Sequence, residues 1–280
     1  HFPSGVTVPS PVGCDPPMLT AILVEPFSPI LNVQAGQPSS PIVIGGWGFS
    51  QPRPWPTDIM HNIDQANAAW IEKQGKFYAA CPPSAPPFPP SQNIPLQETQ
   101  IPLYTCPSAS LPYNRPIIDV PDTDPPTSYS PAYSNYRVNA GTLTYDSVTG
   151  TLVGAVNGMM YVNSRTRFRD ATDGTTTTIM LGESYYGFWA DADSCCIAIA
   201  TAADRALAGE TVTGDPYTGC YWLSASNGNH RFSFGSQHGS TLNFAMVDGS
   251  AKPISKTIDN NLFTALMTRN GRENIKDQDL

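Results

Sequence analysis

Glu183, His238 and Asp248 carry much of the chemical potential of this 280-residue sequence. Ser184, His238 and Asp248 supply the nominal parts of a nucleophile–base–acid set. The surrounding pattern opposes that chemistry. Gly182-Glu183-Ser184 runs on to Tyr186, where a nucleophile elbow needs a second glycine. A structural role accounts for the same residues. Asp248-Gly249 suits a two-residue hairpin turn, because Asp and Gly tolerate the positive φ such a turn requires. His238 is then expected to hydrogen-bond the turn carboxylate or a backbone carbonyl. Thr172-Asp173-Gly174 reads as an Asx-type turn feeding a strand. Glu183, just after apolar Ile179–Leu181, is expected to pair with Arg165, Arg167 or Arg169.

Other candidate chemistry is sparse. Asp122-Thr-Asp124 and Asp191-Ala-Asp193 are short acidic pairs without the frame of a calcium loop, so only a surface calcium site is entertained at either. No other cofactor is expected. Gly45-Gly46-Trp47-Gly48 lacks the spacing and the lysine of a phosphate loop. The six cysteines, Cys14, Cys81, Cys106, Cys195, Cys196 and Cys220, show no Cys-x-x-Cys spacing. They read as three long-range disulfides, with Cys195 and Cys196 bonded to different partners. Cys81 with Cys106 is the favoured single pair, since the two bracket a proline-rich loop.

Composition fixes the class of partner. A net charge of −8 argues against nucleic acid and against an electrostatic membrane anchor. No apolar run approaches the roughly 18–20 residues of a membrane helix. Charged residues are only 14% of the chain, and 29 prolines are present. That balance reads as a secreted or cell-surface β protein. Asn-x-Ser/Thr does not occur, which leaves the stretches 84–91 and 122–134 as candidate carriers of O-linked glycans.

The elements that must position these residues divide near residue 131. Twenty-seven of the 29 prolines lie at or before Pro131, whereas 15 of the 22 glycines follow it. The first part favours extended backbone, with strands at Thr20–Val24, Ile30–Val33 and Pro41–Ile44. A helix is expected from an N-cap at Thr57 through Ile59, Ile63, Ala66 and Trp70 to Gly75. Later strands are expected at Arg137–Tyr145, Gly158–Asn163, Thr177–Leu181, Leu242–Val247 and Ala251–Ile254. A last helix starts at Asp259 and ends at Gly271. The class is mainly β with a few short helices (α+β): a twisted, sandwich-like head at 47–280 and a Pro-rich extended arm at 1–46.

Several segments together resemble one family. They are Thr172-Asp-Gly-Thr-Thr-Thr-Thr-Ile-Met-Leu-Gly-Glu183, His238 with nine residues before Asp248-Gly249, Phe234-Gly-Ser-Gln-His238, Asn243-Phe-Ala-Met246 and Leu266-Met-Thr-Arg-Asn-Gly271. Cys106-Pro107-Ser108, Ser134-Asn-Tyr136 and Asn139-Ala-Gly-Thr142 fit it too. The chain resembles the bacterial prepilin-like proteins that carry an N-terminal cleavage/methylation helix, a β-rich head and a His-X9-Asp-Gly signature. His1-Phe2-Pro3-Ser4-Gly5 is similar to the family's segment that closely follows the pilin helix. The resemblance therefore implies a processed leader or a chain that extends upstream, and a surface location; it implies no reaction.

The function expected is a non-enzymatic structural subunit of an extracellular filament or pilus-like appendage, polymerising with itself head to tail. The alternative is a secreted or periplasmic carbohydrate-binding module, with Trp47, Trp55 and Trp222 stacking on sugars.

Overall fold

The computed structural model describes residues 1–7, 22–23, 53–63, 98–109, 111, 115, 118–120, 127–148, 150–154, 156–161, 163–184, 187–190, 195–207, 234–236, 238–273 and 275. The chain divides into two compact units. The first comprises His1–Gly5, Tyr136–Tyr185 and Cys196–Leu280, and the second Val6–Asn135 and Tyr186–Cys195. Most of the expected arm, with the strands at Ile30–Val33 and Pro41–Ile44, lies outside the described residues.

The second unit contains short pairings. Strand β1 (Val6–Thr7) pairs antiparallel with β3 (Arg53–Pro54), while β2 (Ile22–Leu23), β4 (Ile118–Val120) and β5 (Thr127–Tyr129) form a three-stranded sheet in the order β2-β4-β5. Helix α1 covers Trp55–Ile59 and continues as a 3₁₀ turn over Met60–Ile63. It begins earlier than the expected cap at Thr57. Pro56 occupies the first turn, where a missing N–H costs nothing, and Pro54 is the N-cap. Thr57 instead bonds back to the Pro54 carbonyl at 2.7 Å. The expected continuation through Ala66 and Trp70 to Gly75 lies outside the described residues. Met60, Ile101, Tyr104, Ala132 and Trp189 form this unit's core. Trp189 donates to the Thr99 carbonyl and Tyr104 to that of Pro56, so both aromatic polar tips are satisfied.

The first unit is built on a six-stranded mixed sheet. Its strands are β6 (Tyr136–Asp146), β7 (Thr151–Gly154), β8 (Ile179–Glu183), β9 (Cys196–Ala200), β10 (Thr241–Met246) and β11 (Ala251–Ser255). The path runs β11-β10-β8-β6-β7, with β9 joining β6 in parallel. The mainly-β, α+β class expected from the pattern is the class of the structure. Helix α3 (Asn260–Met267) packs on the sheet: Phe263, Leu266 and Met267 share one buried cluster with Ile179, Ile197, Phe234, Phe244 and Ile254. Asp259 is its N-cap, accepting from the amides of Asn261 and Leu262. The helix stops at Met267, four residues before the expected Gly271, with Thr268 as C-cap.

Two sequence readings need correction. The described residues of Gly158–Asn163 form no strand: the amides of Gly158 and Met160 bond the Ala140 and Asn139 carbonyls, and Asn163 adopts a positive φ of 54°. Cys196–Ala200, an Ala-rich apolar run not assigned to a strand, is the parallel strand β9, followed by helix α2 (Ala202–Leu207). A strand buried along four of its five residues shows no polar/apolar alternation to read.

Candidate functional site

Glu183 ends β8, and the register of β8 with β10 puts Gly182 opposite Phe244. Asn243 therefore lies beside Glu183 and bonds it twice. Its amide N–H meets Oε2 at 2.9 Å, and its side-chain Nδ2 meets Oε1 at 3.2 Å. His238 Nε2 lies 3.1 Å from Oε1. The Ser236 hydroxyl also donates to this carboxylate, and its oxygen accepts the His238 N–H at 3.1 Å. The loop carrying Ser236 and His238 is held elsewhere too. Phe234 bridges Ser184, Gly235 N–H bonds the Glu183 carbonyl, and Lys256 Nζ reaches the carbonyls of Ser236 and His238 at 2.8 and 2.6 Å.

Glu183 is 4% exposed. Burial works to raise its pKa, but the Asn243 N–H and side chain, the Ser236 hydroxyl and the His238 ring outweigh it and hold the carboxyl below its ordinary range. A buried carboxylate with both oxygens engaged and a lowered pKa is a poor proton acceptor. Its chemistry is that of an anchor, fixing the β8–β10 pairing and the loop before β10. The expected pairing of Glu183 with Arg165, Arg167 or Arg169 is corrected accordingly: those arginines are exposed, and Glu183 is buried against β10 and its preceding loop.

His238 does not reach the hairpin turn. Asp248 Oδ1 accepts from the Ser250 amide at 2.9 Å and its hydroxyl at 2.7 Å, and those bonds hold the exposed Asp248 carboxyl below its ordinary value. The turn spans three residues rather than two, since Met246 N–H bonds the Ser250 carbonyl. Gly249 alone of the Asp-Gly pair takes positive φ, at 86°. Val247 and Asp248 donate their amides to the Thr178 and Thr175 carbonyls, pinning the turn to the Thr-rich loop.

Asp173 closes a different contact from the expected local turn. Its carboxylate accepts from the amides of Gly271 and Arg272 at 2.6 and 2.8 Å. Gly174 has a φ of 110°, and the Thr177 and Thr178 hydroxyls bond the carbonyls of Asp173 and Gly174, each at 2.8 Å. The resembling motif segments thus meet around the sheet as hydrogen-bonded joints.

Polar residues not singled out as site residues complete these joints. Asn139, fully buried in β6, donates to the carbonyls of Ile179 and Met267 and accepts from Gly141 N–H. Arg269 Nη1 bonds the carbonyls of Val156 and Gly158, each at 2.7 Å, with its guanidinium over the Tyr161 ring. A polar Asn inside an apolar strand was the available signal for the first; for Arg269 it was its place in the segment Leu266–Gly271.

The cysteine readings divide. Cys195 and Cys196 are both disulfide-bonded. Cys106 is a buried thiol in this structure, which corrects its expected disulfide with Cys81. It sits in a tight turn, its amide fixed by Asn135 Oδ1 at 3.2 Å. Cys14, Cys81 and Cys220 lie outside the described residues, as do both acidic pairs weighed for calcium. Trp55 is 4% exposed and unavailable for stacking on a sugar, whereas Trp47 and Trp222 lie outside the described residues.

A family model described as a protein of unknown function, DUF1559, matches residues 33–261. The chain belongs to that family. The match spans Glu183, His238 and the Asp248 turn, while Met267, Arg269, Gly271 and Arg272 lie beyond it. No curated protein and no solved structure matches the chain. Among the described residues, no helix is long and apolar enough to cross a membrane.

Proposed function

We propose that this chain is a structural subunit of an extracellular, pilus-like filament that polymerises with its own copies. The observation that carries the reading is the seating of His1–Gly5 on the first unit. Phe2 and Gly5 donate their amides to the carbonyls of Thr166 and Tyr161 at 2.9 and 3.1 Å. The Ser4 hydroxyl donates to Tyr161 and accepts from the Ser164 amide, each at 3.1 Å, while the Phe2 ring packs 4.7 Å from that of Phe168. In the prepilin-like proteins that the motifs resemble, this segment follows the assembly helix. Several bonds between such a segment and the head would carry load from one to the other.

The chemistry of the site agrees with that reading. Glu183, Asp173 and Asp248 spend their oxygens on backbone and side-chain donors of this same chain. Disulfide bonding of Cys195 and Cys196 suits an oxidising, extracellular setting. Sedimentation velocity over a concentration series tests the proposal. Species that grow with concentration support it, and a monomer throughout contradicts it.

A further inference from the structure

The chain is acidic overall, yet its densest run of cations stands together on the first unit. Arg165, Arg167 and Arg169 place three of the 15 Lys and Arg residues within five positions. All three are exposed, and the intervening Thr166 is buried with its hydroxyl on the Met159 carbonyl. Arg165 and Arg169 border a cleft of about 380 Å³ with Tyr161, Asp170, Arg269 and Asn270. Three guanidiniums against one carboxylate leave the cleft cationic on a chain of net charge −8. Exposed Phe168 and Val156 give this side of the unit apolar surface beside the charge.

We propose that this cleft receives the acidic segment 119–124 of a second copy of the same chain. The inference rests on the filament reading and names one of its contacts. Asp119, Asp122 and Asp124 make this the densest acidic run in the sequence, and no Lys or Arg occurs between Arg115 and Arg137. Arg165 precedes the 3₁₀ turn over Phe168–Asp170 that carries Arg169, so the cleft draws its guanidiniums from two kinds of backbone. Arg forks pair bidentately with carboxylates, which suits this cleft to an acidic run. Proline fixes its own φ, so Pro121, Pro125 and Pro126 lower the conformational entropy that docking of such a segment would cost.

Two measurements test this on the full chain. A labelled peptide of residues 117–126 is titrated against the protein at about 50 and 300 mM salt, which changes the screening of exposed charges. Saturable binding that weakens at least roughly tenfold with R165E/R169E and falls with salt is expected, since charge-assisted Arg–carboxylate pairs would supply the affinity. No binding below about 1 mM would overturn the proposal. So would arginine-dependent retention on polygalacturonate without peptide binding, which would make the occupant a polysaccharide. In sedimentation, R165E/R169E and D122R/D124R each lose self-association while keeping the wild-type melting temperature, and their mixture regains it. Unchanged self-association of both variants overturns the contact while leaving the filament reading intact. Arginine-dependent peptide binding by a chain that never self-associates leaves the cleft assigned and removes the filament.

Discussion

Glu183 Oε1 lies 3.1 Å from His238 Nε2, and the same carboxylate holds the Asn243 amide of the neighbouring strand. One buried side chain thereby ties β8, β10 and the loop between residues 234 and 240 together. Removing it leaves several buried donors without an acceptor, which costs more than the bonds themselves contributed. Glu183→Ala is expected to lower stability by roughly 2–3 kcal/mol, and Glu183→Gln by less, because Gln keeps one acceptor oxygen. Chemical denaturation of the two variants checks the order.

The lowered pKa of Glu183 fixes the sign of a pH effect. The unfolded carboxyl titrates near its ordinary value, about 4.3, and the folded one below it. The unfolded state therefore binds more protons as pH falls, so the contribution of Glu183 is complete above that value and lost as pH drops through the folded pKa. Asp248 acts in the same direction. Melting temperature measured from pH 7 to pH 3 should fall in wild type, with the gap to Glu183→Gln narrowing at the acid end.

Gly141 has a φ of +106° at the register shift between β6 and β9, and a Cβ there would press on the Asn157 side chain and the Gly158 backbone. Gly141→Ala combines backbone strain with a backbone clash and should cost about 2–4 kcal/mol. An unchanged denaturation midpoint would contradict the packing described.

Asp173 is the acceptor for the amides of Gly271 and Arg272. Asp173→Ala removes both bonds at once, and each charge-assisted bond contributes about 1.5–3 kcal/mol where it is sheltered, less where exposed. Hydrogen exchange should quicken first at residues 271 and 272, ahead of the β10 amides.

The parts of this fold legible from sequence are those with local causes. Asp259 caps its helix because a carboxylate can reach two free amides, and the polar–apolar alternation of Thr241–Met246 marks a half-buried strand. Asp248-Gly249 announced a turn, though its length depended on where the Met246–Ser250 pairing closed. Partners were not legible in the same way. Glu183 was expected to seek an arginine because opposite charges attract, yet burial favours neutral and aromatic donors whose desolvation costs less. His238 and Asp248 share a motif and not a hydrogen bond, since each acts on a different neighbour of β10.

Negative-stain electron microscopy of the purified chain, with its disulfides kept oxidised and concentration raised stepwise, tests the structural-subunit reading most directly. The account predicts uniform filaments with a regular axial repeat, lost in R165E/R169E. Dispersed single particles of one chain at every concentration would contradict it.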